Sequence, residues 1–169
     1  LPTIEIPKSL ESGGGIGNSE YGCFVGCESL KSVTFEEGVT RIANYLLMGC
    51  TSLEEMVIPD TVTVIEYMAF AGCANLKEVH LPNSLTEIEK DAFRNCISLT
   101  EAVLPDSVTT MGNYVFKGCT ALTGVRLSRN LKSMGDGVFM DCKALPTIEI
   151  PKSLESGGGI GNSEYGCFV

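Results

Sequence analysis

The chain has 169 residues, of which 44% are hydrophobic and 20% charged, with a formal net charge of −9. That balance belongs to a folded domain rather than a disordered chain, and the length suits one domain better than two. The acidic excess excludes a phosphate-backbone binder, which needs clustered Lys and Arg, so nucleic acid is not an expected partner. Nor does any apolar run reach the roughly 18–20 residues of a membrane span, so no membrane insertion is expected.

The first predicted unit is residues 2–30, a 29-residue version of a shorter repeat, with three extra residues in Glu11–Gly15 and three in Gly17–Gly22. Gly13, Gly14, Gly15 and Gly17 superficially resemble a phosphate loop. Such a loop must follow a strand and open a full helix, and only a short coil surrounds it here. A protruding surface insertion is the better reading.

Five units of 23 residues follow, 31–53, 54–76, 77–99, 100–122 and 123–145. Self-similarity at a fixed period of this size is the signature of a stacked, solenoidal architecture. Within 77–99 the apolar residues are Val79, Leu81, Leu85, Ile88, Ala92, Phe93, Cys96 and Leu99. Val79 and Leu81 alternate with Glu78 and His80, the period of a short half-buried strand. Pro82, with no N–H for a ladder, ends it. Leu85 and Ile88 bracket a second extended stretch, and Asp91 through Asn95 read as one helical turn on the convex side.

The chain closes on a partial unit, 146–169, and residues 145–169 repeat residues 1–25 without a difference. A higher period of 144 residues thus sits above the basic one. Because the sequence opens and stops within a repeat, it reads as a piece of a longer protein. Ile148, Ile150 and Leu154 are expected to have a rung on one side only. The final rung should therefore fray, or exposed edges should stack head to tail in weak, concentration-dependent self-association.

Cys27, Cys50, Cys73, Cys96, Cys119 and Cys142 recur every 23 residues with no CxxC pair. Zinc needs ligands clustered at short spacing, whereas one cysteine per period is a stacking position. The expectation is a reduced, buried ladder of small hydrophobes, with no metal and no cofactor.

Ile58-Pro59, Val62-Thr63, Ile65, Ala69-Phe70, Gly72-Cys73 and Leu76 carry a string that recurs from Leu81-Pro82 to Leu99. With it the chain closely resembles the BspA-like leucine-rich repeats over essentially its whole length. The chain departs from the general leucine-rich pattern, with Ser84 and Ser107 where an Asn or Cys would stand soon after the strand. The resemblance implies an α/β leucine-rich-repeat solenoid, an open arc of about six rungs with short parallel strands and short helical turns. It also implies an extracellular or cell-surface setting, in proteins of host-associated bacteria and some protozoan parasites that attach to matrix or cells. The family has no catalytic motif, so no enzyme activity is expected.

The outward positions of the first strands are expected to line the concave face: Thr3 and Glu5, Ser32 and Thr34, Glu55 and Val57, Glu78 and His80, Glu101 and Val103, Gly124 and Arg126. Glu55, Glu78 and Glu101 read as an acidic column at the roughly 5 Å spacing of stacked strands. Val57, His80 and Val103 run beside it as a small contact patch. With Arg126 these form the candidate partner-binding residues, for a protein or glycan ligand. A solvated strand face is the competing reading, and the chain is then a passive spacer projecting another domain. His80 alone cannot build a triad or a metal site. Tyr45, Tyr67 and Tyr114 read as one aromatic column covering the convex edge.

Overall fold

The computed structural model describes residues 3–11 and 22–155. The glycine-rich insertion at residues 13–17 and the end of the last unit lie outside them. Each unit from 31–53 to 123–145 contributes two short strands, and the first unit contributes one among the described residues. The first-strand series is β1 Thr3–Ile6, β2 Ser32–Phe35, β4 Glu55–Val57, β6 Glu78–His80, β8 Glu101–Val103 and β10 Gly124–Arg126. The second series is β3 Arg41–Ile42, β5 Val64–Ile65, β7 Glu87–Ile88, β9 Thr110–Met111 and β11 Ser133–Met134. Pairing is parallel throughout, with equivalent residues in register, as in Met56↔Val79 and Ile65↔Ile88. The second series forms one continuous five-stranded ladder. The result is a parallel β-solenoid with a 23-residue repeat.

The expected helical turn is not there. The described residues hold only a 3-10 turn, Lys8–Glu11, and one helical turn, α1 Lys152–Glu155. Along 91–96 the backbone alternates instead. The N–H groups of Asp91, Phe93 and Asn95 donate to Asn113, Val115 and Lys117 in the next rung, while those of Ala92, Arg94 and Cys96 donate three residues back. This alternation needs left-handed backbone twice per rung. Tyr45, Met68, Asp91, Tyr114 and Gly137 occupy one such position, and Gly26, Gly49, Gly72, Asn95, Gly118 and Asp141 the other. Two left-handed residues four apart break any α-helix, so the α/β description is corrected to an all-strand coil closed by turns.

Inside, the columns stack on themselves. Phe70, Phe93, Phe116 and Phe139 lie nearly parallel, with centroids 5.2, 5.5 and 5.7 Å apart. Leu85, Ile88, Ala92, Phe93, Cys96 and Leu99 are buried as expected, and Val79 and Leu81 are half-buried. Thr86 and Thr109 extend the ladder sideways, each hydroxyl donating to the carbonyl one rung earlier. The tyrosines form no single column. Tyr114 repeats the Tyr45 position, but Tyr67 stands one residue earlier and packs edge-on against Tyr45 at 5.1 Å. Tyr114 instead lies over Gly137, where an added Cβ would come within 2.5 Å of its ring.

The cysteine ladder forms with one amendment: Cys50, Cys73, Cys96, Cys119 and Cys142 are buried, whereas Cys27 in the first rung is only half-buried. All are free thiols. The Sγ of Cys73, Cys96 and Cys119 donates to the carbonyls of Leu47, Phe70 and Phe93 at 3.2–3.3 Å. Burial pushes the Cys50 and Cys142 thiols up to about 11 and that of Cys73 up to about 12.

A polar ladder runs beside the second strands. Glu66, largely buried, takes Arg41 Nε on one oxygen and the Asn44 N–H on the other. Glu89 accepts the Tyr67 N–H at 3.1 Å. Burial first, then the neighbouring Glu66 and Glu87, raise the Glu89 carboxyl above its ordinary range.

Three outcomes follow from this packing. Thiol titration should find the five buried ladder cysteines, from Cys50 to Cys142, unreactive in the native protein, because the thiolate is the nucleophile, while exposed Cys23 reacts. Cys96→Ser should destabilise by roughly 1–3 kcal/mol, since the shorter hydroxyl bonds poorly where Sγ reached. Glu89→Gln should raise the melting temperature at pH 7, by about 0.5 kcal/mol or less in stability. The folded state holds the Glu89 proton more tightly than the unfolded chain, so ionisation is a cost that vanishes as pH falls through the raised value. The advantage of Glu89→Gln should therefore shrink to nothing below the ordinary carboxylate range.

Candidate functional site

Alternation on a three-residue strand sends one side chain inward and two outward. Met56 and Ala102 are buried, while Glu55, Val57, Glu78, His80, Glu101, Val103 and Arg126 are all exposed on the first-strand face. Val57 and Val103, at 60% and 49% exposure, are two of the three large apolar residues left in solvent among the described residues. The expected positions therefore share one face, but they do not form one continuous stripe.

The first-strand ladder is interrupted. Among the described residues it consists of three pairs, β1 with β2, β4 with β6 and β8 with β10. Glu55 stands directly opposite Glu78, and Val57 opposite His80. Glu101 instead pairs with Gly124, and Val103 with Arg126. The acidic column is thus broken between Glu78 and Glu101, where the Thr100 N–H reaches the Lys77 carbonyl at 3.3 Å and no ladder continues.

Charge pairing follows the same division. His80 Nε2 lies 3.3 Å from Glu55 and 3.4 Å from Glu78, so one imidazole bridges the two opposed carboxylates. Lys77 is taken by Glu54 at 2.7 Å and Arg126 faces Asp106 at 3.5 Å. Glu54, the more exposed partner, has its carboxyl held below the ordinary range by Lys77. The basic residues flanking the face are thereby turned to acids outside the column. Gly124 leaves the space beside Glu101 open, where a Cβ would touch its Cγ at 3.4 Å.

A groove marks each interruption. One, of about 610 Å³, lies between β2 and β4 and is lined by Lys31, Thr34, Phe35, Glu54, Glu55 and Val57. The other, of about 410 Å³, lies between β6 and β8 and is lined by Lys77, Glu78, His80, Thr100, Glu101 and Val103. Lys31, Phe35, Glu54, Lys77 and Thr100 were not among the residues expected from sequence. The position just before each first strand, held by Lys31, Glu54, Lys77 and Thr100, was the signal that could have found four of them. His80 thus sits on the exposed face between two carboxylates, Glu55 and Glu78.

The BspA type leucine rich repeat region matches this sequence in 6 copies, over residues 1–55 and 40–159. No curated protein sequence matches it. The chain is similar to the crystal structure of a leucine rich repeat protein of T. pallidum, at 35% identity and a TM-score of 0.68, over 72% of this chain and 58% of that one. A leucine-rich repeat protein from Bacteroides ovatus is similar at 24% identity and a TM-score of 0.59, over 89% of this chain and 49% of that one. The pneumococcal vaccine antigen PcpA shares the fold at 19% identity and a TM-score of 0.54, over 90% and 49% of the two chains. This chain therefore spans between 49% and 58% of the length of these relatives.

Proposed function

The chain belongs to the BspA-type leucine-rich repeat family, and we propose that it is a non-catalytic binding module of a cell-surface or secreted protein. Its ligand is a protein or glycan, taken by the first-strand face. The observation that carries this is the division of labour along the repeat. Inward columns hold nearly constant chemistry, as in Phe70, Phe93, Phe116 and Phe139, whereas the outward positions run from Glu55 and Val57 through His80 to Arg126. Exposed groups of mixed charge and apolar character beside two grooves are what a recognition surface uses and a spacer does not need.

Glu55, Glu78 and Glu101 supply the electrostatic part of this surface, and Val57 and Val103 the apolar part. With Lys77 and Arg126 engaged elsewhere, the uncompensated charge favours a partner that brings its own cations. The extracellular setting rests on the family alone.

Replacing Glu55, Glu78 and Glu101 together by Gln tests the reading. If each exposed contact is worth up to about 1 kcal/mol, attachment to matrix proteins or cells should weaken by on the order of tenfold or more. Circular dichroism should not change, and stability should hold or rise slightly because the opposed Glu55 and Glu78 no longer repel. Unaltered attachment by a folded triple variant would favour the spacer.

A further inference from the structure

The rungs that part at each groove stay joined on their other sides. Between 31–53 and 54–76 the second strands pair through Arg41↔Val64 and Ile42↔Ile65, and the Tyr45 and Leu47 N–H groups donate to Tyr67 and Ala69 at 2.9 Å. Between 77–99 and 100–122 the pairs are Glu87↔Thr110 and Ile88↔Met111, and the Asp91 N–H donates to Asn113 at 2.9 Å. Each groove is therefore a wedge, open on the first-strand face and held closed behind. Inserting a further strand would need two ladder spacings, about 10 Å, which the closed sides do not yield. The wedge admits a side chain.

Each lining joins carboxylate to apolar carbon. Glu55 stands with Phe35, Val57 and Pro59 in one groove, and Glu78 and Glu101 with Val79 and Val103 in the other. This suits a long cationic side chain, whose stem lies along apolar surface while its head reaches a carboxylate. The charges agree. Glu54, Glu55, Glu78 and Glu101 against Lys31 and Lys77 leave two negative charges over the two grooves, with His80 counted neutral. Lys77 is bound to Glu54 at 2.7 Å, and Lys31 helps to hold the same carboxyl low. Glu101 makes no ion pair among the described residues.

The β4 and β6 pair separates the grooves, so their centres lie two strand spacings apart, roughly 10 Å. A polyproline II segment has three residues per turn and rises about 3.1 Å per residue, so every third side chain points the same way after about 9.3 Å. A β-extended segment of that reach turns its third side chain to the opposite face. Resting on the reading of this face as the binding surface, we propose that the partner is a protein offering an extended segment in polyproline II geometry. Two Lys or Arg residues three positions apart seat one in each groove, the first on Glu55 and the second between Glu78 and Glu101. A glycan fits less well, because the charged groups of glycans are chiefly carboxylates and sulfates.

The test titrates the full chain with labelled proline-rich peptides, read by fluorescence anisotropy. The peptides share one composition and carry two Arg residues either adjacent, three apart or four apart. The peptide with Arg three apart is expected to bind on the order of tenfold tighter than the others, and to weaken as salt rises. Glu55→Gln and Glu101→Gln, one in each groove, should each erase most of that advantage with circular dichroism unchanged. Equal binding of the three peptides, or an advantage untouched by both variants, overturns the proposal. So does attachment that an oligosaccharide competes away and the spaced peptide does not, which makes the partner a glycan. If attachment depends on Glu55, Glu78 and Glu101 but the peptides are not told apart, this inference falls and the binding face stands. If attachment does not depend on them, both fall.

Discussion

The structure depends on how the backbone divides its hydrogen bonds along the turn run of each rung. Between Asp91 and Cys96 every second N–H stays within its own unit, and those between cross to the next. A helix there would keep all its donors to itself and leave the β ladders alone to join neighbouring rungs. The division requires left-handed backbone at residues such as Tyr45, Met68 and Tyr114, which carry side chains and so resist it by roughly 1–3 kcal/mol each. Only the next rung's carbonyls offset that cost. A rung has no stable conformation alone, and stability becomes a property of adjacent pairs.

Once the register is set, each side chain meets its own equivalent about 5 Å away, and the chemistry of a column decides whether that helps. Phenylalanine rings stack face to face with interplanar angles of 3°, 9° and 8°. Cysteine and threonine reach back to a carbonyl of an earlier rung and so bind two rungs while filling space. Carboxylates gain nothing from their own kind. Where Glu66 and Glu89 stack beside the second strands, Arg41 and the backbone N–H groups of Asn44 and Tyr67 are needed to hold them. On the first-strand face the Glu55 and Glu78 pair shares His80, and the ladder stops where Glu101 would be added.

The outward residues of the first strands are the ones this stacking leaves free. They touch no interior column, so their identity can change without disturbing the coil. The two interruptions of the ladder give that face relief, and the grooves there join charged and apolar groups that a flat sheet would spread evenly. A rigid, repetitive interior and an irregular outer face are two consequences of one architecture.

Much of this was legible in the sequence. The period of 23 residues set the number and spacing of units, and alternation around Val79 and Leu81 separated Glu78 and His80 from the core. The spacing of the cysteines identified a buried ladder, and the seven candidate residues stand exposed on the first-strand face. These features are local or strictly periodic, and such patterns survive in a one-dimensional string. The helical turn expected at Asp91–Asn95 failed because its backbone is governed by acceptors 22 residues away, at Asn113, Val115 and Lys117, which propensity does not register. The breaks between β2 and β4 and between β6 and β8 were likewise invisible, since the repeats on either side look alike. Sequence alone determined what repeats and which way each residue points. Tertiary structure decided where neighbouring rungs actually join, because that is settled by hydrogen bonds between segments a full turn apart.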